Sequence, residues 1–154
     1  MGGMIGQGLA LSHPDRIDRL VLADTAAVIP DEAQPLWQER IDDVLRGGMQ
    51  KTAQATLGRW FTTAFLKGNG PEIRKIRKQI LATPVAGYVG CSEAIRHLNY
   101  LDRLSEIEAP TLIMVGADDP STPVETSLAI HEKIKGSRLV VIPVSYTHLT
   151  LPTN

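Results

Sequence analysis

The sequence predicts an α/β fold, on two observations. Three short runs, Arg19–Asp24 (RLVLAD), Thr111–Gly116 (TLIMVG) and Arg138–Pro143 (RLVVIP), are apolar on consecutive positions. Such continuous runs suit strands of a parallel sheet buried on both faces. Stretches with helical spacing precede and separate these runs, the order that lays helices against a parallel sheet.

Taken in chain order, a first helix is expected from about Gly2 to Ser12. It stops near His13-Pro14, because a residue before proline resists helical dihedrals. Gly2, Gly3, Gly6 and Gly8 fall inside it. Each glycine costs a helix about 1 kcal/mol against alanine, so their density points to a backbone packed closely on something. The first strand follows. From about Pro30 to Leu104 no strand candidate occurs. Trp37, Ile41, Val44 and Leu45 recur at helical spacing, as do Leu57, Trp60, Phe61, Ala64 and Phe65. Pro71 suits a first helical position and is followed by Ile73, Ile76 and Ile80 on one face. A fourth helix is expected over Tyr88 to Asn99. Four helices set between two strands read as a cap over a sheet edge. After the second strand comes the polar turn Ala117-Asp118-Asp119-Pro120-Ser121-Thr122-Pro123. A helix over Val124 to Lys135 with Gly136 as its stop, and then the third strand, complete the order.

Composition narrows the function classes. The 154 residues are 43% hydrophobic and 21% charged, with 13 Gly and 10 Pro, as in an ordinary globular domain rather than a disordered or fibrous chain. A formal net charge of −1 gives no field to hold nucleic acid or an anionic membrane. One cysteine, Cys91, rules out an intramolecular disulfide and fits a reducing compartment; it reads as a small buried hydrophobe. No apolar run nears the roughly 20 residues of a spanning helix, and the start lacks a basic signal-peptide region. A soluble cytoplasmic protein is the expectation.

Several residues could carry chemistry. Asp118 and Asp119 stand just past the end of a buried strand, the edge where open parallel sheets gather catalytic groups. A carboxylate there could orient a histidine; the same pair also suits a plain Asx turn. His148 follows the last strand, where a base facing Asp119 would sit. His13 and His131 read as surface residues, and His97 as structural. Trp37, Trp60 and Phe61 could line an apolar pocket or simply fill a helical core. Arg74, Lys75, Arg77 and Lys78 read as a solvated face. No metal-ligand spacing occurs, and Gly3, Gly6 and Gly8 do not form a dinucleotide-binding fingerprint.

These pieces carry a resemblance. MGGMIGQGLALSHPDRIDRLVLADTA resembles the segment that directly follows the nucleophile in the G-x-S-M-G-G elbow of the α/β-hydrolase family. APTLIMVGADDPSTP resembles that family's strand and loop for the catalytic acid. More narrowly, ADTAA, WQERIDDVLRGGM, ATLGRWFTTAF, GYVGCSEAIR and GADDPSTP resemble the 3-oxoadipate enol-lactonase family.

The resemblance implies a partial α/β-hydrolase fold, the last three parallel strands with flanking helices and a four-helix cap. Residues 1–29 and 105–144 would form the core, 30–104 the cap, and 145–154 a non-native tail. It implies Asp119 as the triad acid and His148 as its histidine, 29 residues later, although Leu149-Thr150-Leu151-Pro152 departs from the family's polar stretch. The backbone N–H of Met1 would be one oxyanion donor, and Trp37, Trp60 and Phe61 would shape the pocket. The nucleophile is expected to be missing, since the chain opens one residue after its position and neither Ser12 nor Ser92 sits in a G-x-S-x-G turn. The implied activity is hydrolysis of a small anionic enol-lactone to 3-oxoadipate in bacterial aromatic catabolism, with no cofactor. An esterase, a haloperoxidase-like or C–C hydrolase, and a non-catalytic binding module are the other readings. The chain alone is expected to be inactive and poorly soluble, with apolar surface and a strand edge exposed.

Overall fold

The computed structural model describes residues 1–61, 63–68 and 70–143. In chain order its elements are α1 (Gly2–Ser12), β1 (Leu20–Ala23), α2 (Gln34–Gly47), α3 (Met49–Trp60), α4 (Thr63–Gly68), α5 (Gly70–Leu81), α6 (Val85–Arg96), β2 (Thr111–Gly116), α7 (Val124–Lys133) and β3 (Arg138–Ile142). They fall into two compact units, Met1–Val28 together with the chain from Leu98 onward, and Ile29–His97.

The first unit holds a parallel sheet in the order β1-β2-β3. Leu22 stands opposite Ile113, and Ile113 opposite Leu139, so these three side chains share one face. That face is the core: Leu20, Leu22 and Ile113 cluster with Ala10 of α1, Leu104, Ile107, and Ile130 and Ile134 at the end of α7. The helical turn Leu101–Glu106 delivers Leu104.

Burial on both strand faces is not what forms. In β1, Leu20 and Leu22 are buried but Val21 is 59% exposed and Ala23 is also open. The reason is the pleat. Alternate side chains point to the opposite face, and that face, with Val21, Leu112, Met114 and Val140, contributes no member to the core cluster.

The glycines of α1 find the close neighbour their density implied. A β-carbon on Gly3 would stand 2.7 Å from the Thr25 side chain, and one on Gly8 would stand 2.9 Å from the Tyr100 hydroxyl. The helix therefore rests directly on β1 and the segment after it.

In the second unit α2 packs on α3 and α6, and α3 on α5. Ile41, Val44, Met49, Ala53 and Leu57 form its buried centre. Among the described residues it contains five helices rather than four. The single helix expected through Leu57, Trp60, Phe61 and Phe65 is broken, because Phe61 takes extended dihedrals (φ −128, ψ 140) between α3 and α4. The fourth expected helix starts earlier, behind Pro84, and ends at Arg96. Asn99 instead makes an isolated bridge to Val28. On α5, Ile73, Ile76 and Ile80 are half-buried while Arg74, Lys75, Arg77 and Lys78 are exposed, an amphipathic surface helix. No helix among the described residues is long and apolar enough to cross a membrane.

Candidate active site

Parallel strands end together, so their carboxyl ends form one edge lined by the loops that leave them. Asp119 sits on the loop after β2 and is 5% exposed. Its N–H donates to the Gly116 carbonyl at 3.2 Å. Oδ1 accepts from the Ser121 N–H at 2.7 Å and the Thr122 N–H at 3.2 Å. Oδ2 accepts from Thr122 Oγ1 at 2.8 Å. Three donors thus satisfy a buried carboxylate inside a single turn, which holds it in one orientation. Asp118, its neighbour, is exposed. Of the two carboxylates at this turn, only Asp119 is fixed.

Asp24, at the end of β1, is a residue the sequence reading passed over as the last letter of a strand. It has φ +43, the one positive value at a non-glycine among the described residues. Its N–H donates to the Met114 carbonyl at 3.0 Å, continuing the ladder. Its Oδ1 then accepts from the Gly116 N–H at 3.0 Å. Oδ2 is buried without a partner. Burial pushes the Asp24 carboxyl above its ordinary range, the Gly116 bond pulls it back in part, and the nearby Asp119 charge adds to the rise. The legible signal was a carboxylate as the first residue past an apolar strand.

Met1 caps α1, its carbonyl accepting from the Ile5 N–H at 3.0 Å. The start of α1 lies against Thr25 through Gly3, and Gln7 Nε2 donates to the Ala26 carbonyl at 3.1 Å. The helix start, the Asp24-Thr25 corner and the Asp119 turn are therefore gathered at one end of the sheet. A helix start also presents free N–H groups, the donors that suit a developing oxyanion.

His148 lies outside the described residues. The described histidines are engaged elsewhere: His13 Nδ1 with Ser12 Oγ at 2.9 Å, His97 with Glu93 at 3.6 Å, and His131 Nδ1 with Ser137 Oγ at 2.7 Å. Trp37 lies under the Arg40 guanidinium, 4.8 Å from the ring centre, and Phe61 stacks on Phe65 with centroids 5.0 Å apart. Trp60 is 38% exposed. All three belong to the helical unit. Cys91 is exposed rather than buried, because the buried position on that stretch of α6 is Ser92. No group of three or more His, Cys, Asp or Glu among the described residues could hold a metal ion.

The sequence profile of the alpha/beta hydrolase fold family matches residues 1–151. The 3-oxoadipate enol-lactonase 2 of Acinetobacter baylyi is 35% identical over 146 residues, covering 95% of this chain and 54% of that protein. The crystal structure of a hydrolase from Pseudomonas aeruginosa superposes with a TM-score of 0.88 at 39% identity, over 97% of this chain and 57% of that one. That of the enol-lactonase from Burkholderia xenovorans gives 0.90 at 30% identity, again over 97% and 57%. The chain thus spans a little over half the length of the relatives it matches.

Proposed function

The chain belongs to the alpha/beta hydrolase fold family, and from that premise we propose that it is the acid-bearing half of an enol-lactone hydrolase. The substrate class is a small anionic lactone, 3-oxoadipate enol-lactone, opened to 3-oxoadipate by a serine, histidine and aspartate acting in sequence. The observation that carries the reading is Asp119, a buried carboxylate fixed by three hydrogen bonds at the carboxyl end of a parallel strand. The enol-lactonase likeness in both sequence and structure supports the substrate class.

Under this reading a serine directly before Met1 attacks the lactone carbonyl. A histidine, for which His148 is the candidate, takes the serine proton and returns it to the enolate leaving group. Asp119 holds that imidazole in the tautomer that accepts the proton and stabilises the imidazolium that results. The N–H of Met1, at the start of α1, helps stabilise the tetrahedral oxyanion. Trp37, Trp60 and Phe61 supply apolar pocket wall. The chemistry needs no cofactor, and its setting is cytoplasmic breakdown of aromatic compounds. None of the 154 residues is a serine in a G-x-S-x-G turn, and under this reading the 154 residues alone are expected to be inactive.

The test is a chimera in which the leading half of the Acinetobacter relative, ending in its nucleophile, is joined ahead of Met1. We expect the 154-residue chain to show no lactone hydrolysis above buffer and the chimera to hydrolyse enol-lactone in preference to p-nitrophenyl esters. Asp119→Asn in the chimera should lower kcat by about 10⁴, the size seen when a triad aspartate is neutralised. Turnover by the chain alone that survives Asp119→Asn sinks the proposal. A folded chimera that prefers simple esters replaces the lactonase reading with that of an esterase.

A further inference from the structure

We propose that Asp24 is a positioning residue for Asp119: its carboxyl substitutes for the last backbone rung between β1 and β2 and, through Gly116, fixes where the Asp119 turn begins. The inference rests on the reading of Asp119 as the acid that orients a histidine.

The register makes the substitution explicit. With Ala23 opposite Met114, the ladder runs Asp24 N–H to Met114 carbonyl, and its next rung would join the Gly116 N–H to the Asp24 carbonyl. The chain leaves the sheet at Asp24 with φ +43, and Oδ1 takes that rung at 3.0 Å instead. Aspartate is among the few non-glycine residues that tolerate this conformation. Gly116 then accepts from the Asp119 N–H through its own carbonyl at 3.2 Å. On the other side the Ala117 N–H donates to the Ile142 carbonyl at 2.8 Å. The root of the Asp119 turn is gripped by β3 through backbone and by β1 through one side chain.

Oδ2 is the unsatisfied end of that side chain. It is buried with no hydrogen-bond partner, an arrangement costly for an ionised carboxylate. The neighbouring Asp119 carboxyl adds to the rise of the Asp24 carboxyl, while Asp119 itself has donors on both oxygens.

The test uses the 154-residue chain and no turnover. Asp24→Asn keeps an acceptor for the Gly116 N–H, whereas Asp24→Ala removes it. Amide hydrogen exchange at Gly116 and Asp119 should change less than about threefold in D24N and quicken more than about tenfold in D24A. The Leu22 and Ile113 amides should keep their protection in both. Unchanged exchange at Gly116 and Asp119 in D24A, or an equal acceleration across the whole sheet, overturns the proposal. Should D24A fail to fold, carboxyl ¹³C titration decides. Asp24 is expected to titrate above 3.8, with a midpoint that falls in Asp119→Asn. An ordinary or unmoved midpoint overturns the proposal. An inactive chimera beside intact exchange and titration results would count against the hydrolase reading alone.

Discussion

Two aspartates at one sheet edge are held in opposite ways, and the difference lies in their donors. Asp119 is surrounded by N–H and hydroxyl groups from its own turn, while Asp24 has one donor, on Oδ1, and a buried Oδ2 with no partner. The consequence for stability has a definite sign. The folded Asp24 carboxyl binds its proton more tightly than the ordinary value of 3.8, so between 3.8 and its raised midpoint the folded state holds more protons than the unfolded state. Its contribution is fully present below pH 3.8 and is lost as pH rises through the raised midpoint. Urea melts of D24N, which cannot ionise, should therefore gain on the parent across that window and run parallel to it below. Curves that stay parallel throughout would contradict the burial of Asp24. Asp43 and Glu106, held below their ordinary range by hydrogen bonds from Lys51 and Arg103, act in the other direction. Their contributions are present above the ordinary carboxylate range and are lost as pH falls through the lowered midpoints. Glu106 is exposed and Asp43 partly so, and solvent screening keeps the effect small.

At the scale of elements, α1 is shaped by what it rests on. Its glycines are poor helix formers, yet Gly3 and Gly8 are where a side chain would collide with Thr25 and Tyr100. Gly2, in the same helix, meets nothing within 4 Å. Gly3→Ala should destabilise the chain by about 1–3 kcal/mol through overpacking, and Gly2→Ala should be neutral or stabilise it by up to about 1 kcal/mol. Thermal melts of the two variants read the contrast directly. Equal effects would mean that α1 does not lie on the segment after β1. The helical unit shows a second element-level effect. Apolar spacing runs unbroken across Trp60, Phe61 and Phe65, and Phe61 stacks on Phe65, yet the backbone turns extended at Phe61. Periodicity reports which residues face a core, not where one helix yields to the next.

At the scale of the whole molecule, the sheet carries its helices on the face of Leu22 and Ile113, and the other face is apolar and partly open. Val21, at 59% exposure on an edge strand, is its most exposed large hydrophobic. Edge strands with open apolar side chains pair with other copies unless a charge blocks them. Val21→Lys should reduce concentration-dependent light scattering of the purified chain while its melting temperature stays within a few degrees. Scattering unchanged by the lysine would show that association runs through another surface.

The sequence by itself determined the α/β order of strands and helices apart from the break at Phe61, the strand runs at Leu20, Thr111 and Arg138, the limits of α1, and the family. Each is local: a run of apolar residues, a proline or glycine at a boundary, or a motif read within one stretch of chain. What only the tertiary structure decided involves residues far apart. The exposure of one sheet face depends on where α1 and α7 dock, and the meaning of the α1 glycines depends on Thr25 and Tyr100. Asp24 gained a role because the chain turns out of the sheet where Gly116, 92 residues later, needs an acceptor. A hydrogen bond between strands leaves no periodic trace in either, so a carboxylate that replaces one is visible only when the strands lie side by side.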